Sequence, residues 1–431
     1  MRSLDGTRAV VVNWRDLSHS LAGGSERYAW EFAKALAGAG ADVEFVTARE
    51  RGQSRTEVVD GIRIRRGGGA FGFYAHAALY YLRNRRTLDL VVDPECGIPT
   101  FAPLFVRRST AVLLVLHHVH IDQFARYFPK PLALLGQWLE RTVMPFVYRR
   151  TRTLAVSEST VAEMRRQLGW TGPVDLLANG SQTPGPEDCG LEHHEPDRLL
   201  VLGRLVPHKR VELVIDSIGS LLAERPALSL DICGQGPEAD RLRELIQQRG
   251  LEDRVVVHGF LPEEEKRALL RRARLHVCAS DVEGWGQVVI EAAGYGLPTV
   301  ARDVPGLRDS VREGVTGWLV PEGEAGEVGA RLTQTIAEAL TALDDSETRA
   351  ELFASCRAWA SHFSWTRMHD EARQIAVEEL VRHGRVLEWA DDVDVDVEQR
   401  HHTRVSLGCT TQSVPRAFAS LERGNLPCVE S

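Results

Sequence analysis

Short apolar runs alternate with helical sequence patterns along most of this 431-residue chain, and the alternating series occurs twice. The apolar runs, for example Ala9–Asn13 and Ala111–Leu116, are continuous, as expected for strands that are buried on both faces of a sheet. Patterns such as Glu26–Ala37 predict the helices between them, and the second series begins at Leu199–Leu202. Because repeated strand–helix units build parallel sheets with helices on both faces, the predicted fold class is α/β.

A stretch rich in proline, glycine and acidic residues, Ser181 to Pro196, separates the two series and predicts a domain boundary. The acidic run from Asp391 to Glu398 and the polar end that follows it predict a disordered tail. The expected organisation is an N-terminal domain at 1–184, a linker at 185–196, a C-terminal domain at 197–360, a helix at 361–384 that crosses back to the N-terminal domain, and a disordered tail at 385–431.

The charge is distributed unevenly between the two halves. Residues 1–184 carry 24 Lys and Arg against 17 Asp and Glu, whereas the remainder carries 28 against 43. A basic half suits an anionic acceptor or a membrane surface, although an ordinary solvated surface explains it equally well. No apolar run is long enough to span a membrane. Seven scattered cysteines without a CxxC pair favour a reducing, cytoplasmic setting.

The most informative motif runs from Ser280 to Ala292 and carries two glutamates, Glu283 and Glu291, around a glycine-rich turn that opens a helix. The bare amide groups of a helix N-terminus are a common binding site for phosphate. A carboxylate beside a phosphate would repel it, so the partner of the glutamate is expected to be a neutral polyol. Phosphate together with sugar hydroxyls indicates a nucleotide sugar.

Two further glycine-containing turns follow predicted strands. Gly23 and Gly24 precede a helix that is expected to start near Arg27, with Ser25 as its N-cap. The segment Gly234–Glu238 makes a second turn into a helix. Either turn would let a backbone approach a phosphate closely, and either is about as well explained as a structural turn.

A pair of cations and a group of histidines also follow predicted strands. Arg204 and Lys209 flank a proline turn, where a guanidinium fork and an ammonium together would neutralise a diphosphate; surface charge is the alternative. His117, His118 and His120 lie at the end of another strand. Their spacing matches no common zinc site, so a strand-end histidine that hydrogen-bonds a sugar hydroxyl is the preferred interpretation.

In this order, the residues resemble the retaining glycosyltransferases of the GT-B fold, specifically the GT4 group, over residues 8–383 and most strongly from Leu199 to Val320. The resemblance implies two Rossmann-like, doubly wound parallel-sheet domains that face a cleft. The N-terminal domain would bind the acceptor, and the C-terminal domain would bind the nucleotide sugar.

The resemblance also implies roles for individual residues. Glu283 would contact the donor sugar, and Arg204 and Lys209 would neutralise the diphosphate leaving group. His117 would lie near the donor sugar. The other residues expected to bind the donor are Gly23, Gly24, Gly203, Gly234, Phe260, Leu261, Gly284, Trp285, Gly286, Gln287, Val288 and Glu291, the last of which would hold the ribose.

Two residues are less well defined by the resemblance. Trp285 stands where phenylalanine is more usual, which leaves the donor preference open. His118 is the alternative to His117 and, with His120, the candidate for contact with the acceptor. No metal and no cofactor are expected, because the cations and a helix N-terminus supply the positive field.

The expected function is that of a retaining glycosyltransferase that moves a hexose-type sugar from a nucleotide diphosphate sugar, with UDP or GDP as the nucleotide, and forms an α-glycosidic bond. The acceptor would be a small molecule, a glycan or a lipid-linked molecule, and no nucleic-acid partner is expected. The basic and apolar stretch Tyr127–Arg152 is either a peripheral membrane contact at the inner face or an amphipathic core helix. The alternatives are a nucleotide-sugar epimerase and a non-catalytic sugar-nucleotide-binding protein.

Overall fold

The computed structural model describes residues 3–20, 22–95, 97–182, 184–185, 188–321, 323 and 326–387, and at 70, 71, 126 and 127 it describes the backbone alone. These residues belong to one compact unit that contains two sheets. The tail predicted at 385–431 lies outside the described residues from 388 onward. Among the described residues, no helix is long and apolar enough to cross a bilayer.

The first half of the chain forms an eight-stranded sheet. Its strands are β1 (Arg8–Val12), β2 (Asp42–Ala48), β3 (Thr56–Val59), β4 (Ile62–Gly67), β5 (Leu90–Glu95), β6 (Ala111–Leu116), β7 (Arg152–Ala155) and β8 (Val174–Leu176). Their order across the sheet is β3-β4-β2-β1-β5-β6-β7-β8. All neighbouring pairs are parallel except β3 and β4, which pair antiparallel. The edge strand β3 departs from the parallel sheet that the sequence predicted.

Helices cover both faces of this sheet. They are α1 (Gly24–Ala37), α2 (Gly69–Asn84), α3 (Ile121–Tyr127), α4 (Lys130–Trp138), α5 (Met144–Val147) and α6 (Glu158–Leu168), with a π-helical turn at Leu139–Val143 between α4 and α5. Val11 of β1 belongs to a hydrophobic cluster with Phe32 of α1, whereas Val12 belongs to a second cluster with Phe73 of α2. Burial on both faces explains why the strand sequences are continuously apolar.

The second half forms a six-stranded, fully parallel sheet in the order β11-β10-β9-β12-β13-β14. The strands are β9 (Arg198–Leu202), β10 (Ser229–Cys233), β11 (Val255–Gly259), β12 (Leu275–Cys278), β13 (Thr299–Arg302) and β14 (Gly317–Val320). The helices are α7 (Val211–Leu221), α8 (Ala239–Arg249), α9 (Glu263–Arg272), α10 (Gln287–Gly294), α11 (Leu307–Ser310), α12 (Val328–Asp344), α13 (Ser346–Ala360) and α14 (Trp365–Arg382).

Helix α14 packs against α1 of the first half. His369 of α14 forms a 2.8 Å hydrogen bond with the carboxylate of Glu31, and the Arg373 Nε donates to the carbonyl of Ala35 at 2.9 Å. Ile290 of α10 belongs to the same hydrophobic cluster as Phe32 of α1. One hydrophobic cluster therefore contains residues of both halves. Since the two halves form one compact unit, no boundary between them is observed in the described residues, and the domain boundaries at 184 and 360 stay predictions.

Candidate active site

The segments that follow strands of both sheets meet at one cavity of about 190 Å³. Chain order reverses at β1, which lies between β2 and β5, and at β9, which lies between β10 and β12. Open α/β sheets bind ligands beside the carboxyl ends of strands at such reversals. The cavity is lined by Gly23, Gly24, Ser25, Glu26, His117, His118, Gln123, Val156, Asn179, Arg204, His208, Lys209, Val282, Glu283, Gly284, Trp285, Gly286 and Gln287.

The cavity brings together the four predicted catalytic residues, Glu283, His117, Arg204 and Lys209. It also includes His118, which the sequence assigned to the acceptor, and six of the predicted donor-binding residues. Those six are Gly23, Gly24, Gly284, Trp285, Gly286 and Gln287.

The turn between β12 and α10 depends on its glycines. Gly286 has a φ of 80°, in the left-handed region, and a Cβ there would lie 2.5 Å from the hydroxyl of Ser310. A Cβ on Gly284 would overlap the carbonyl oxygen of His117. Glycine at position 284 lets the turn between β12 and α10 approach the end of β6 in the first half. The N-terminal amides of α10 point toward the cavity.

Lys209 and Glu283 form an ion pair inside the cavity. The ammonium of Lys209 donates to the Glu283 carboxylate, which also accepts a 2.9 Å hydrogen bond from the hydroxyl of Ser280. Burial is the largest single influence on the pKa of Glu283 and would raise it, but the charge and hydrogen bond of Lys209 and the hydrogen bond of Ser280 together outweigh burial, so the pKa is lowered. Burial is also the largest influence on Lys209 and would lower its pKa, but the interactions with Glu283 and Cys278 together outweigh burial, so the pKa is raised. Both groups are therefore charged at neutral pH.

Two histidines of the cavity, His117 and His118, are neutral. Burial, followed by the neighbouring histidines, lowers the pKa of His117 to about 3, and burial and His120 lower that of His118 to about 3. The His117 ring packs edge-on against Tyr28 at 5.0 Å, and its carbonyl accepts a 3.1 Å hydrogen bond from the hydroxyl of Thr160. The Nε2 atoms of His117 and His118 are buried and have no hydrogen-bond partner among the described residues. They are therefore available to a ligand.

The loop before α1 approaches the second half at Arg204. A Cβ on Gly23 would lie 3.7 Å from the Nε of Arg204. The prediction that Ser25 caps the helix is wrong, because α1 begins at Gly24 with Gly23 as its N-cap. The Glu26 side chain accepts from the Gly23 amide at 2.8 Å and from the Arg15 Nε at 2.9 Å. The carboxylate of Glu26, in the first turn of α1, thus accepts a backbone amide at the helix N-terminus, which is the role expected for the hydroxyl of Ser25.

Seven predicted residues do not line the cavity: Gly203, Gly234, Phe260, Leu261, Val288, Glu291 and His120. The Glu291 carboxylate forms a 2.6 Å ion pair with Lys266 of α9. Phe260 is 74% exposed after β11. A Cβ on Gly234 would overlap the carbonyl oxygen of Gly203, so these two glycines serve the packing of neighbouring turns.

Seven residues that line the cavity were not predicted from the sequence, namely Ser25, Glu26, Gln123, Val156, Asn179, His208 and Val282. Val156 directly follows β7 and Asn179 follows β8, so position at a strand end was the available signal. Gln123 lies on α3, a helix that the sequence pattern did not predict.

A second, wider cavity of about 750 Å³ lies on the first half, where β2 and β4 end. Five arginines line it, namely Arg49, Arg51, Arg55, Arg65 and Arg66. Arg65 is held by Glu44 and Arg66 by Asp16, whereas Arg51 and Arg55 are exposed and have no ion-pair partner in the described part of the chain. The surface beside this cavity is suited to an anionic group.

Two family models match the chain, one in each half. "Glycosyltransferase Family 4" matches residues 22–183, and "Glycosyl transferases group 1" matches residues 190–351. Alpha-D-kanosaminyltransferase of Streptomyces kanamyceticus is 28% identical over 312 residues, which are 66% of this chain and 77% of that protein. The D-inositol 3-phosphate glycosyltransferase of Corynebacterium efficiens is 36% identical over 170 residues, and the match spans 38% of each protein.

Solved structures share the fold. Sucrose-phosphate synthase from Thermosynechococcus elongatus superposes with a TM-score of 0.72 at 19% identity, over 87% of this chain and 100% of that one. Anabaena HepE, solved with UDP and glucose, superposes with a TM-score of 0.64 at 18% identity, over 86% and 100%. At such identities the similarity shows the fold alone.

The buried neutral state of His117 predicts that acid destabilises the protein. The pKa of His117 is about 3 in the fold and about 6.5 in an unfolded chain. The free energy of unfolding therefore falls as the pH drops below 6.5, by about 1.4 kcal/mol per unit down to the folded pKa. Between pH 6.5 and 4.5, His117→Gln should lose about 2–3 kcal/mol less than the wild type in urea denaturation.

The control for this measurement is His362→Gln, at an exposed histidine of the second half. It should follow the wild-type pH profile. Parallel profiles for wild type and His117→Gln would contradict the neutral state of His117.

Proposed function

The chain belongs to the GT4-type glycosyltransferases, enzymes of the GT-B fold, and from this premise we propose that it is a retaining hexosyltransferase. It transfers a hexose-type sugar from a nucleotide diphosphate sugar, with UDP or GDP as the nucleotide, to an acceptor hydroxyl and forms an α-glycosidic bond. The observation that carries the proposal is the cavity between the two halves, where Arg204, the Lys209–Glu283 pair and the N-terminus of α10 come together.

The leaving group is stabilised by positive charge from three sources. Arg204 lines the cavity and has no carboxylate partner within ion-pair distance among the described residues, so its guanidinium can donate two hydrogen bonds to a diphosphate. Lys209 is held in the cavity by Glu283, and α10 adds the partial charge of its N-terminal amides. Fixed charges of this kind stabilise the diphosphate as it departs without reorganising. Together they offset part of the negative charge of the diphosphate, and no metal is proposed at that position.

Glu283 orients the transferring sugar. Its pKa is lowered by Lys209, so it is a carboxylate at neutral pH and cannot act as a general acid. Two of its contacts already come from Lys209 and Ser280, which fix the carboxylate in one position. It can therefore accept hydrogen bonds from sugar hydroxyls. Neutral His117, with an unpartnered Nε2, contacts the same sugar.

The acceptor hydroxyl attacks from the face of the sugar that the diphosphate leaves. The hydroxyl oxygen bonds to the anomeric carbon as the bond from that carbon to the diphosphate oxygen breaks, and the hydroxyl proton passes to the departing oxygen. Substitution on one face retains the configuration. The base and the ribose lie outside the 190 Å³ cavity, along the second half toward Phe260 and Glu291, where ribose hydroxyls compete with Lys266 for the carboxylate.

The test of this proposal starts with a donor screen. UDP-, GDP-, ADP- and TDP-sugars are compared by thermal shift, because a ligand of the native state raises the melting temperature. The donor that binds is incubated with a high enzyme concentration and no added acceptor, and the sugar released to water is followed by ¹H NMR. We expect nucleoside diphosphate and an α anomer that appears first. A β anomer contradicts retention.

The same incubation separates the alternatives. A nucleotide sugar whose sugar has changed, with no nucleoside diphosphate released, would identify an epimerase. Binding of the donor without any turnover, also when acceptors are offered, would identify a non-catalytic binding protein.

Replacement of Glu283 tests its role directly. Glu283→Gln keeps the shape of the side chain and a hydrogen-bond acceptor for Lys209, but it removes the charge that polarises the sugar hydroxyls. We expect kcat to fall at least about 100-fold, the scale seen when one transition-state contact is removed. The control is Glu212→Gln in the first turn of α7, which weakens a 2.6 Å ion pair with Arg210, the N-cap residue of that helix, and should leave kcat unchanged. Wild-type turnover by Glu283→Gln would refute the role.

The acceptor side of the proposal includes contact with a membrane. Around α4, six large apolar side chains are between 46% and 67% exposed, namely Phe128, Leu132, Leu134, Leu135, Trp138 and Phe146. Four exposed basic residues, Lys130, Arg141, Arg149 and Arg150, lie in the same segment. An apolar face with basic neighbours is the composition of a peripheral contact with anionic lipid, where a lipid-linked acceptor would be presented.

Liposome co-sedimentation measures this contact. The wild type should bind vesicles that contain anionic lipid, and less so at high salt, because the basic residues are attracted to the lipid charge. The double variant Arg149→Glu/Arg150→Glu should lose most of the binding. Arg85→Glu/Arg86→Glu, a second exposed arginine pair of the same half, is the control. Absence of wild-type binding would exclude the membrane contact.

A further inference from the structure

Three buried side chains outside the cavity converge on one point. The carboxylates of Glu95 and Glu140 and the imidazole of His120 have ligand atoms that all lie within 4.8 Å of one another. The Nδ1 of His120 is 4.0 Å from the Glu95 Oε1 and 3.7 Å from the Glu140 Oε1. None of the three residues lines the cavity between the two halves.

Separate elements of the first half carry these side chains. Glu95 ends β5, and His120 is the N-cap of α3, shortly after β6. Glu140 lies in the π-helical turn Leu139–Val143, in an otherwise α-helical stretch whose outer face is exposed. Single π-helical turns recur at functional sites because the extra residue redirects side chains. Here the turn carries a buried Glu140, whose Oε1 accepts the His120 amide at 2.5 Å.

The cluster has unmet bonding capacity. Both oxygens of Glu95, the Oε2 of Glu140 and the Nδ1 of His120 are buried and have no hydrogen-bond partner among the described residues. Glu95 is 1% exposed and Glu140 is fully buried. No described lysine or arginine side chain lies within ion-pair distance of either carboxylate. Two buried carboxylates this close to each other are costly unless a cation or a proton neutralises them.

We propose that Glu95, His120 and Glu140 bind one divalent transition-metal ion, and that Zn²⁺ binds there more tightly than Mn²⁺ or Mg²⁺. Two carboxylates balance the charge of a divalent ion. An imidazole in the donor set favours Zn²⁺ over the oxygen-preferring Mg²⁺, and Zn²⁺ also exceeds Mn²⁺ in the general affinity order of nitrogen and oxygen sites. Three protein ligands leave a fourth position of the tetrahedral ion for water.

The three side chains must close in to hold this ion. Ligand atoms about 2.0–2.2 Å from a tetrahedral ion are about 3.3–3.6 Å apart. The His120 separations of 3.7 and 4.0 Å therefore shorten by less than about 1 Å, and the separation of the two carboxylates, which is within 4.8 Å, shortens by at most about 1.5 Å.

The ion would hold the segment that forms one wall of the cavity. The His118 ring lies 4.0 Å from the His120 ring, and His118 and Gln123 both line the cavity. A metal ion that ties His120 to β5 and to the π-helical turn would therefore also restrict the positions of His118 and Gln123. The metal acts on the wall of the cavity and does not touch the transferred sugar.

The experiment measures metal directly and does not depend on activity. The full chain, with any affinity tag removed, is stripped with EDTA and titrated with Zn²⁺, Mn²⁺ and Mg²⁺ by calorimetry, and bound metal is counted by mass spectrometry after dialysis. We expect one Zn²⁺ per wild-type chain. At a free Zn²⁺ concentration 100-fold above Kd, the melting temperature should rise by about 3 °C.

The variants Glu95→Gln and Glu140→Gln should lose this uptake by at least about 100-fold. Glu163→Gln on α6, a mostly buried acid of the same half outside the three-residue set, should bind as the wild type does. Without metal, Glu140→Gln should melt no lower than the stripped wild type, because it removes one of two unneutralised acids; this separates lost binding from lost folding. The proposal is overturned if the wild type takes up no Zn²⁺, or if Glu95→Gln and Glu140→Gln take up as much Zn²⁺ as the wild type.

Discussion

The contact between Gly284 and the carbonyl of His117 is the constraint on which the candidate site depends. Any side chain at position 284 would overlap that oxygen, so the turn after β12 can lie against the end of β6 only with glycine there. Two further polar contacts join the halves beside it: the side-chain Nε2 of Gln287 donates to the Gly180 carbonyl at 2.6 Å, and the backbone amide of Ser159 donates to the Asp309 carboxylate at 2.9 Å. Close backbone approach encloses the cavity and brings Glu283 to the same space as the histidines of the other sheet.

The charges inside this enclosure are unequal in a way that suits an anion. Glu283 is matched by Lys209, and Glu26 by Arg15, whereas Arg204 has no such partner among the described residues. His117 and His118 add no charge, since burial keeps them neutral. Arg204 is therefore a cation that no carboxylate balances, and it lies beside a helix N-terminus and acceptors for hydroxyl groups. Diphosphate and sugar need these two kinds of group, and they occur here side by side.

Much of the fold could be predicted from the sequence because parallel strands buried on both faces leave continuous apolar runs. Strand β3 was missed because Thr56–Val59 is short, largely exposed and paired on one side only. The four catalytic candidates lie at one cavity because each follows a strand, and the carboxyl ends of the strands converge. Ser25 failed as an N-cap because Glu26 reaches back to the Gly23 amide instead. The Glu95–His120–Glu140 cluster could not be found from spacing, since its members come from three elements that only the tertiary fold unites.

The chain passes between the two sheets twice, and the two passages lie side by side. Ser181, after the last strand of the first sheet, pairs with Ser364, just before α14, and the Ser181 amide donates to the carbonyl of Phe363 at 2.5 Å. Two connections joined in this way must change their path together, because a shift in one breaks its hydrogen bond to the other. A change in the angle between the halves would therefore be shared by both connections. Each sheet would keep its shape during such a change, because the bending would fall in the connections and not in the strands.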